Sequence, residues 1–170
     1  MSTDRRMVSR IIINGSLEAI WRELTKQDEP QLAVFNTWLH AQTLTPGAPM
    51  QMRTSSGKKV MVVGQVLEYD PPRRFAHSFR FAGYDDPPCL VTYELKPVTG
   101  GVEVTLVVDN IPTGTPTAKG IAGGVPLILS RLKAIVETGT PPWSTRLLYA
   151  AFSRLEFTLP GKCDVAKWPM

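Results

Sequence analysis

Residues 115–139, TPTAKGIAGGVPLILSRLKAIVETG, contain the most regular helical pattern of the sequence. The apolar residues of its second half recur at helical spacing and define one face; they are Val125, Ile128, Leu129, Leu132, Ile135 and Val136. The polar residues Ser130, Arg131, Lys133 and Glu137 are expected on the opposite, solvent-facing side. Gly139 can adopt the left-handed conformation that ends a helix. The pattern therefore predicts a long helix with one face in a core.

The first half of this stretch is less regular. Thr115 can cap a helix and Pro116 suits its first turn, but the glycines within 120–124 and Pro126 weaken helical structure. Two structures fit: a helix that begins near Gly124, or a longer helix that bends at Pro126, where an amide donor is missing. We favour the longer helix. Its small residues would leave space beside it.

The composition indicates one folded domain of ordinary size. The chain has 170 residues, of which 43% are hydrophobic and 20% charged, which is enough to bury a core and argues against disorder. No apolar run reaches the roughly 18 residues that a membrane-spanning helix needs. The first ten residues lack the apolar segment of a secretory signal. We therefore expect a cytoplasmic protein with no membrane partner.

The cysteines, histidines and basic residues do not favour a metal, redox or nucleic-acid site. Cys89 and Cys163 are far apart in the sequence and are expected to be free thiols. His40 and His77 lie in separate predicted elements, without the clustering that a metal site needs. The net charge of +4 arises from basic residues scattered over turns and polar faces, so we expect no nucleic-acid partner. No cofactor is expected.

A β pattern dominates the middle of the chain. The candidate strands are separated by turn signals at hairpin spacing, and they cover 40–46, 50–55, 58–69, 74–81, 89–96 and 102–109. A β-branched run at 7–14 supplies a further strand. This spacing predicts an antiparallel sheet of six or seven strands with helices at both ends of the sequence.

Two short helices are predicted between the first strand and the rest of the sheet. Ser16 can cap the first, over 17–25, in which Trp21 would be a core residue. The second is expected to begin at 28–30, with Phe35, Trp38 and Leu39 on its apolar side.

A third segment, at the carboxyl end, is expected to form a helix over about 144–157. Its apolar row, Leu148, Phe152 and Leu155, is predicted to face the body of the protein. We therefore divide the chain into a domain over 1–140 and an extension over 141–170. The extension is expected to pack on that domain or on a second copy of the chain in a homodimer.

Three segments carry a resemblance to a known family: GQVLEYDPPRRFAHSFRF (64–81), VTYELKPVTGGVEVTLVVDN (91–110) and GGVPLILSRLKAIVETG (123–139). They resemble bacterial proteins similar to activators of the heat-shock-protein-90 ATPase. These proteins belong to the SRPBCC superfamily, together with START lipid-transfer domains and polyketide cyclases. The resemblance covers about residues 8–139 and implies an α+β helix-grip fold, in which a curved antiparallel sheet wraps around the long C-terminal helix. Val125 departs from the pattern, where a tryptophan is expected.

The helix-grip fold implies a cavity between the concave sheet and the long helix, and apolar cavities with a few polar groups are typical ligand sites. The predicted lining consists of residues on inward strand faces and on the helices: Phe35, Trp38, Met52, Val62, Phe75, His77, Phe79, Val91, Tyr93, Leu106, Val125 and Leu129.

His77 is the most informative member of this set because it interrupts an aromatic row. Phe75, His77 and Phe79 alternate on one strand face. An inward histidine either bonds to a neighbour in the core or contacts a polar group of a ligand. Tyr93 presents the same choice, since its ring packs well while its hydroxyl needs a partner. We expect burial to lower the pKa of His77 and to keep the ring neutral near pH 7.

Three classes of function remain open from the sequence. The first is a binding protein that holds a small hydrophobic or amphipathic molecule in the cavity, with His77 as its main polar contact. The second is an enzyme of the polyketide-cyclase or aromatase type, in which His77 or Tyr93 moves protons. The third is a chaperone-regulating interaction protein, as the resemblance implies. We favour the binding protein, and we assign no catalytic or metal-binding residue.

Overall fold

An antiparallel sheet and one long helix frame the molecule in the computed structural model, which describes residues 5–170. Within these residues there are seven strands and three α-helices: β1 (Arg5–Ile13), α1 (Leu17–Thr25), β2 (Trp38–Ala41), β3 (Pro49–Arg53), β4 (Val60–Asp70), β5 (Arg74–Phe81), β6 (Cys89–Val98), β7 (Gly101–Ile111), α2 (Pro116–Thr138) and α3 (Trp143–Arg154). The strand order is β1-β7-β6-β5-β4-β3-β2, and every neighbouring pair is antiparallel. The predicted α+β helix-grip fold is confirmed.

The core lies between α2 and one face of the sheet. Alternate residues of β6 and β7 point toward the helix, so Tyr93, Leu106 and their neighbours at every second position are buried. From the helix side, Leu129 and Leu132 fill the same layer, while Val136 is only half-buried.

The structure has the longer of the two predicted helices, which includes Pro126. The Thr115 side chain accepts a hydrogen bond from the amide of Ala118 at 3.2 Å, and the helix continues through Pro126 to Thr138. Gly139 has a φ of 82°, the left-handed conformation expected for a residue that ends a helix.

The burial of Arg131 differs from the prediction that it lies on the solvent-facing side of α2. It was expected in solvent but is 5% exposed, because the loop before β2 and helix α3 cover this side of the helix. Its guanidinium carbon lies 4.8 Å from the ring centre of Phe35 and 5.3 Å from that of Tyr149. These are cation–π distances, so the cation is held between two aromatic rings supplied by other segments.

The second short helix was predicted wrongly, because residues 28–37 form a looped segment instead. Phe35 and Asn36 have φ values of 55° and 56°, and two consecutive left-handed residues are incompatible with a right-handed helix. Buried polar contacts hold the segment in place: the Gln31 side chain donates to the Leu24 carbonyl at 3.1 Å, and Glu23 accepts from the Ala33 amide at 3.0 Å. These tertiary hydrogen bonds replace the helical ones.

The extension contacts the rest of the chain, and its most buried residues lie outside the predicted row. Thr145 and Tyr149 are the buried residues of α3, and the Tyr149 hydroxyl donates to the Leu32 carbonyl at 2.6 Å. Leu148, Phe152 and Leu155 are instead exposed. The most buried face of α3 therefore carries a tyrosine and a threonine, and Phe152 and Leu155 of the predicted row lie beside it, about half exposed.

The tail after α3 contains three short 3-10 turns, Glu156–Thr158, Gly161–Cys163 and Val165–Lys167. Cys163 is buried beside Val60, the first residue of β4, and Ala82, which directly follows β5. None of the helices within residues 5–170 is long and apolar enough to cross a membrane.

Candidate functional site

A cavity of about 670 Å³ lies between the sheet and α2. Most of its lining is apolar and comes from inward side chains of β3 to β7, from the amino-terminal half of α2 and from the loop before β2. The volume is within the range of small-molecule sites. Helix α3 and the turn after it form one side, where Phe152 and Leu155 are both lining residues and about half exposed. The cavity therefore opens to solvent next to the extension.

Two glycines of α2 provide room for aromatic rings at the cavity. A Cβ atom on Gly124 would lie 3.5 Å from the ring of Phe35, and one on Gly120 would lie 3.1 Å from the ring of Phe81. Any larger side chain at these positions would occupy space that the rings or the cavity now hold. The glycines that weaken the helical pattern in the sequence are therefore the residues that keep this side of the helix open.

His77 lies on the sheet side of the cavity, which we call the cavity floor. It belongs to β5, the central strand of the sheet, and pairs with Val66 on β4 and Val91 on β6. Its side chain is 3% exposed, and Nδ1 lies 2.8 Å from the carbonyl oxygen of Ser78. Removal from water lowers the pKa of His77 to about 4, so the ring is neutral near pH 7.

Tyr93 is the neighbour of His77 on the same face of the sheet. Its backbone pairs with Phe75, two residues before His77, and the rings of Phe75 and Tyr93 stack with centres 6.5 Å apart. No residue in the described part of the chain accepts a hydrogen bond from the Tyr93 hydroxyl or donates one to it. Burial raises the pKa of Tyr93 well above its ordinary value, so its hydroxyl also stays protonated.

Charged side chains lie at the edge of the cavity rather than on its floor. Lys119 projects from the first turns of α2, and Glu156 follows α3. The Glu156 carboxylate accepts hydrogen bonds from the hydroxyls of Thr54 and Ser56, the second at 2.6 Å. These bonds join the turn after α3 to the hairpin between β3 and β4.

The structure brings nine of the twelve predicted lining residues to this cavity: Phe35, Met52, Val62, His77, Phe79, Val91, Tyr93, Leu106 and Val125. Trp38 does not reach it, because residue 38 lies in a strand rather than a helix and faces away from buried Leu39; its indole donates to the Gln27 carbonyl at 2.8 Å. Phe75 and Leu129 are packed in the core outside the cavity lining.

Sequence reasoning missed the contribution of the extension. Tyr149, Phe152, Leu155 and Leu159 all line the cavity. The sequence predicted that Phe152 and Leu155 face the body of the protein, but not that they meet the cavity. Phe81 was also omitted, although it continues the alternation of Phe79 and could have been included on that ground.

The fold and the cavity can be compared with known proteins. Residues 14–137 match the family model described as "Activator of Hsp90 ATPase homolog 1-like protein". The chain belongs to this family. The family is of the SRPBCC type, so the predicted family and superfamily are confirmed. The matched segment contains α1, the strands β2 to β7 and all but the last residue of α2; it begins after β1 and ends before α3. No curated protein sequence matches the chain.

Solved structures share the fold of this Hsp90-activator-like chain at low sequence identity. CalU16 from Micromonospora echinospora has a TM-score of 0.63 and 17% identity, over 92% of this chain and 88% of that one. The Aha1 dimer from Colwellia psychrerythraea has a TM-score of 0.61 and 18% identity, over 79% and 98%. DynU16, from the dynemicin biosynthetic locus, has a TM-score of 0.62 and 20% identity, over 80% of this chain and 48% of that one. These likenesses establish the fold alone.

Proposed function

We propose that the protein binds a small hydrophobic or amphipathic molecule in the cavity between the sheet and α2. The observation that carries this proposal is the cavity itself, about 670 Å³ of mostly apolar space that the side chains leave unfilled. Well-packed cores contain few voids larger than a water molecule, so a space of this size inside a small protein supports a ligand. The ligand contacts are the nine cavity residues given above, and His77 is the central polar contact.

The protonation states of the two floor residues support binding over catalysis. A general acid or base works best when its pKa lies near the working pH. Burial holds the pKa of His77 at about 4 and raises that of Tyr93, so neither group exchanges protons readily near pH 7. Both remain neutral hydrogen-bonding groups, which is the state that orients a ligand without changing it.

Blocking the cavity tests this function. Gly124→Leu places carbon atoms toward the ring of Phe35 at the cavity, whereas Ala122→Leu adds the same side chain on the exposed side of α2. We expect a neutral solvatochromic dye to bind the wild-type protein and the Ala122→Leu control with the same Kd within about twofold. Gly124→Leu should weaken binding about tenfold or more, which corresponds to about 1.4 kcal/mol. Equal dye affinity in all three proteins, or none in the wild type, would contradict the proposal.

We also propose that a second copy of the chain covers the exposed apolar surface of the extension. Leu147, Leu148, Phe152 and Phe157 are between 40% and 78% exposed on α3 and the turn after it, and apolar surface on this scale usually marks an interface. A solved relative from Colwellia psychrerythraea is a dimer. Sedimentation of the full chain should give a dimer, and Leu147→Glu with Phe157→Glu should give a folded monomer. A full chain that sediments as a monomer would leave this surface to a different partner and refute the homodimer.

A further inference from the structure

The hydrogen-bonding direction of His77 follows from its backbone contact. A carbonyl oxygen can only accept, so the 2.8 Å contact with the Ser78 oxygen requires the proton of the neutral ring to be on Nδ1. A neutral imidazole has one N–H, and Nε2 is therefore an acceptor with a free lone pair. Within residues 5–170 no donor hydrogen-bonds to Nε2. Since Nδ1 points back to its own strand, Nε2 is directed away from the backbone and into the cavity.

The Tyr93 hydroxyl supplies the second polar group on the cavity floor. Phe75 and Tyr93 are directly opposite in the β5–β6 pair, so His77 and Tyr93 are diagonal neighbours, about 7–8 Å apart between Cα atoms. Both side chains are more than nine-tenths buried, and both line the cavity. A phenol can donate one hydrogen bond and accept others. We call these residues the His77–Tyr93 pair.

A ligand hydroxyl can satisfy both members of the pair with a single atom. It can donate its proton to His77 Nε2 and accept the proton of the Tyr93 hydroxyl, which pairs both polar groups of the cavity floor. We propose that the ligand is a neutral, largely apolar alcohol or phenol whose hydroxyl lies against the His77–Tyr93 pair. This inference rests on the proposed binding function and specifies the chemical class of the ligand.

Other polar groups fit the pair less well. A ketone or ether oxygen can accept from Tyr93 but has no proton for His77 Nε2, which would stay desolvated and unpaired. A carboxylate would bring a negative charge beside the lone pair of a neutral imidazole. The cation that lines the cavity, Lys119, projects from α2 rather than from the floor. The pair therefore selects against carbonyl-only and anionic groups at the floor.

The test uses probes that share one ring system and differ in a single substituent. The probes are 2-naphthol, 2-methoxynaphthalene, naphthalene and 2-naphthoate, each titrated calorimetrically near pH 7. We expect 2-naphthol to bind about tenfold or more tightly than its methyl ether and naphthalene, because a buried acceptor left unpaired costs about 1.4 kcal/mol or more. We expect 2-naphthoate to bind most weakly. Equal affinities for 2-naphthol and its ether would overturn this inference and leave the binding function standing. Binding of none of the probes would overturn both.

Two variants assign the preference to the pair. Tyr93→Phe removes one hydroxyl and keeps the ring, and His77→Phe removes the acceptor. Each should reduce the preference for 2-naphthol over its ether to about threefold or less and leave naphthalene affinity within about threefold. A preference that survives both substitutions would refute the assignment, provided that circular dichroism shows the variants to be folded.

Nitrogen NMR provides a readout that does not depend on any substitution in the cavity. The chain has two histidines, so His40→Gln leaves His77 as the single source of imidazole signals. Long-range nitrogen–proton spectra should show a protonated Nδ1 and a bare Nε2. The Nε2 resonance should move on addition of 2-naphthol and not on addition of naphthalene. A protonated Nε2 in the free protein would overturn the inference directly.

Discussion

Acidification should destabilise the protein through His77. The pKa of His77 is about 4 in the folded protein, against 6.5 for an ordinary histidine. Between these two values the unfolded chain binds a proton that the folded chain does not, so the free energy of unfolding falls as the pH falls. This loss in the free energy of unfolding is absent above about pH 7. It approaches its full size, about 3 kcal/mol for a difference of about 2.5 pH units, below about pH 4.

The effect is measurable well before that limit. At about pH 5 most unfolded molecules carry the proton and about nine-tenths of folded ones do not, which gives a loss of about 2 kcal/mol relative to pH 7.5. The assay is urea unfolding of the ligand-free wild type and of His77→Phe at both pH values. Carboxylates titrate alike in the two proteins, so the difference between their pH-dependent losses isolates His77.

A matched histidine variant completes the design. His40 is half-buried on β2, where burial and Arg53 also lower its pKa. His40→Gln should remove only the contribution of His40 and retain that of His77, while His77→Phe should remove about 2 kcal/mol of the wild-type loss. If wild type and His77→Phe lose the same free energy between the two pH values, His77 is not held as a neutral buried group, and the argument for its role on the cavity floor fails.

Three further substitutions test the fold that holds the cavity. Leu132 is fully buried on α2, so Leu132→Ala should cost about 2–5 kcal/mol in urea unfolding, while the control Leu127→Ala, at a position 43% exposed beside the cavity, should cost less than about 1 kcal/mol. A Cβ on Gly64 would lie 2.0 Å from a backbone oxygen of β5, so Gly64→Ala should cost at least about 1–3 kcal/mol, whereas Gly123→Ala, which meets nothing, should stabilise the protein by up to about 1 kcal/mol. Arg74 pairs with Glu68 and Glu94 near the surface, so Arg74→Gln should change stability by less than about 1 kcal/mol and dye affinity by less than about threefold. A hundredfold loss of affinity in this last variant would place a binding group there.

The sheet and α2 could be predicted because their signals are local. Alternation of period two in β5, β6 and β7 and the helical spacing of Leu129 and Leu132 are properties of single segments, and each segment buries the face that its pattern indicates. The family resemblance added the way in which these segments pack together. The lining residues on those segments, such as Val91 and Leu106, followed from the same alternation.

The errors occur where tertiary contacts decide the conformation. Residues 28–37 follow a helical apolar spacing, but two hydrogen bonds favour a loop with two left-handed residues: the Gln31 side chain donates to the Leu24 carbonyl, and the Glu23 carboxylate accepts from the Ala33 amide. In α3 the inward face is decided by one hydrogen bond, from Tyr149 to the Leu32 carbonyl, and by the stacking of Arg131 on the same tyrosine. Neither partner of Tyr149 is near it in sequence, so no pattern within α3 could have indicated them.

The strongest support for a ligand is that several residues that are unfavourable for local structure or packing lie around one cavity. Glycines at 120 and 124 each cost the long helix about 1 kcal/mol relative to alanine. On the sheet opposite, His77 Nε2 and the Tyr93 hydroxyl have no protein partner and line the cavity, whereas phenylalanine at either position would need no partner. Each of these four residues is unfavourable when it is considered alone, and all four line the same cavity. Sequences break local rules mainly at functional sites. A ligand that fills the space and pairs with both polar groups would offset all of these costs at once, whereas a role confined to the outer surface would leave them unexplained.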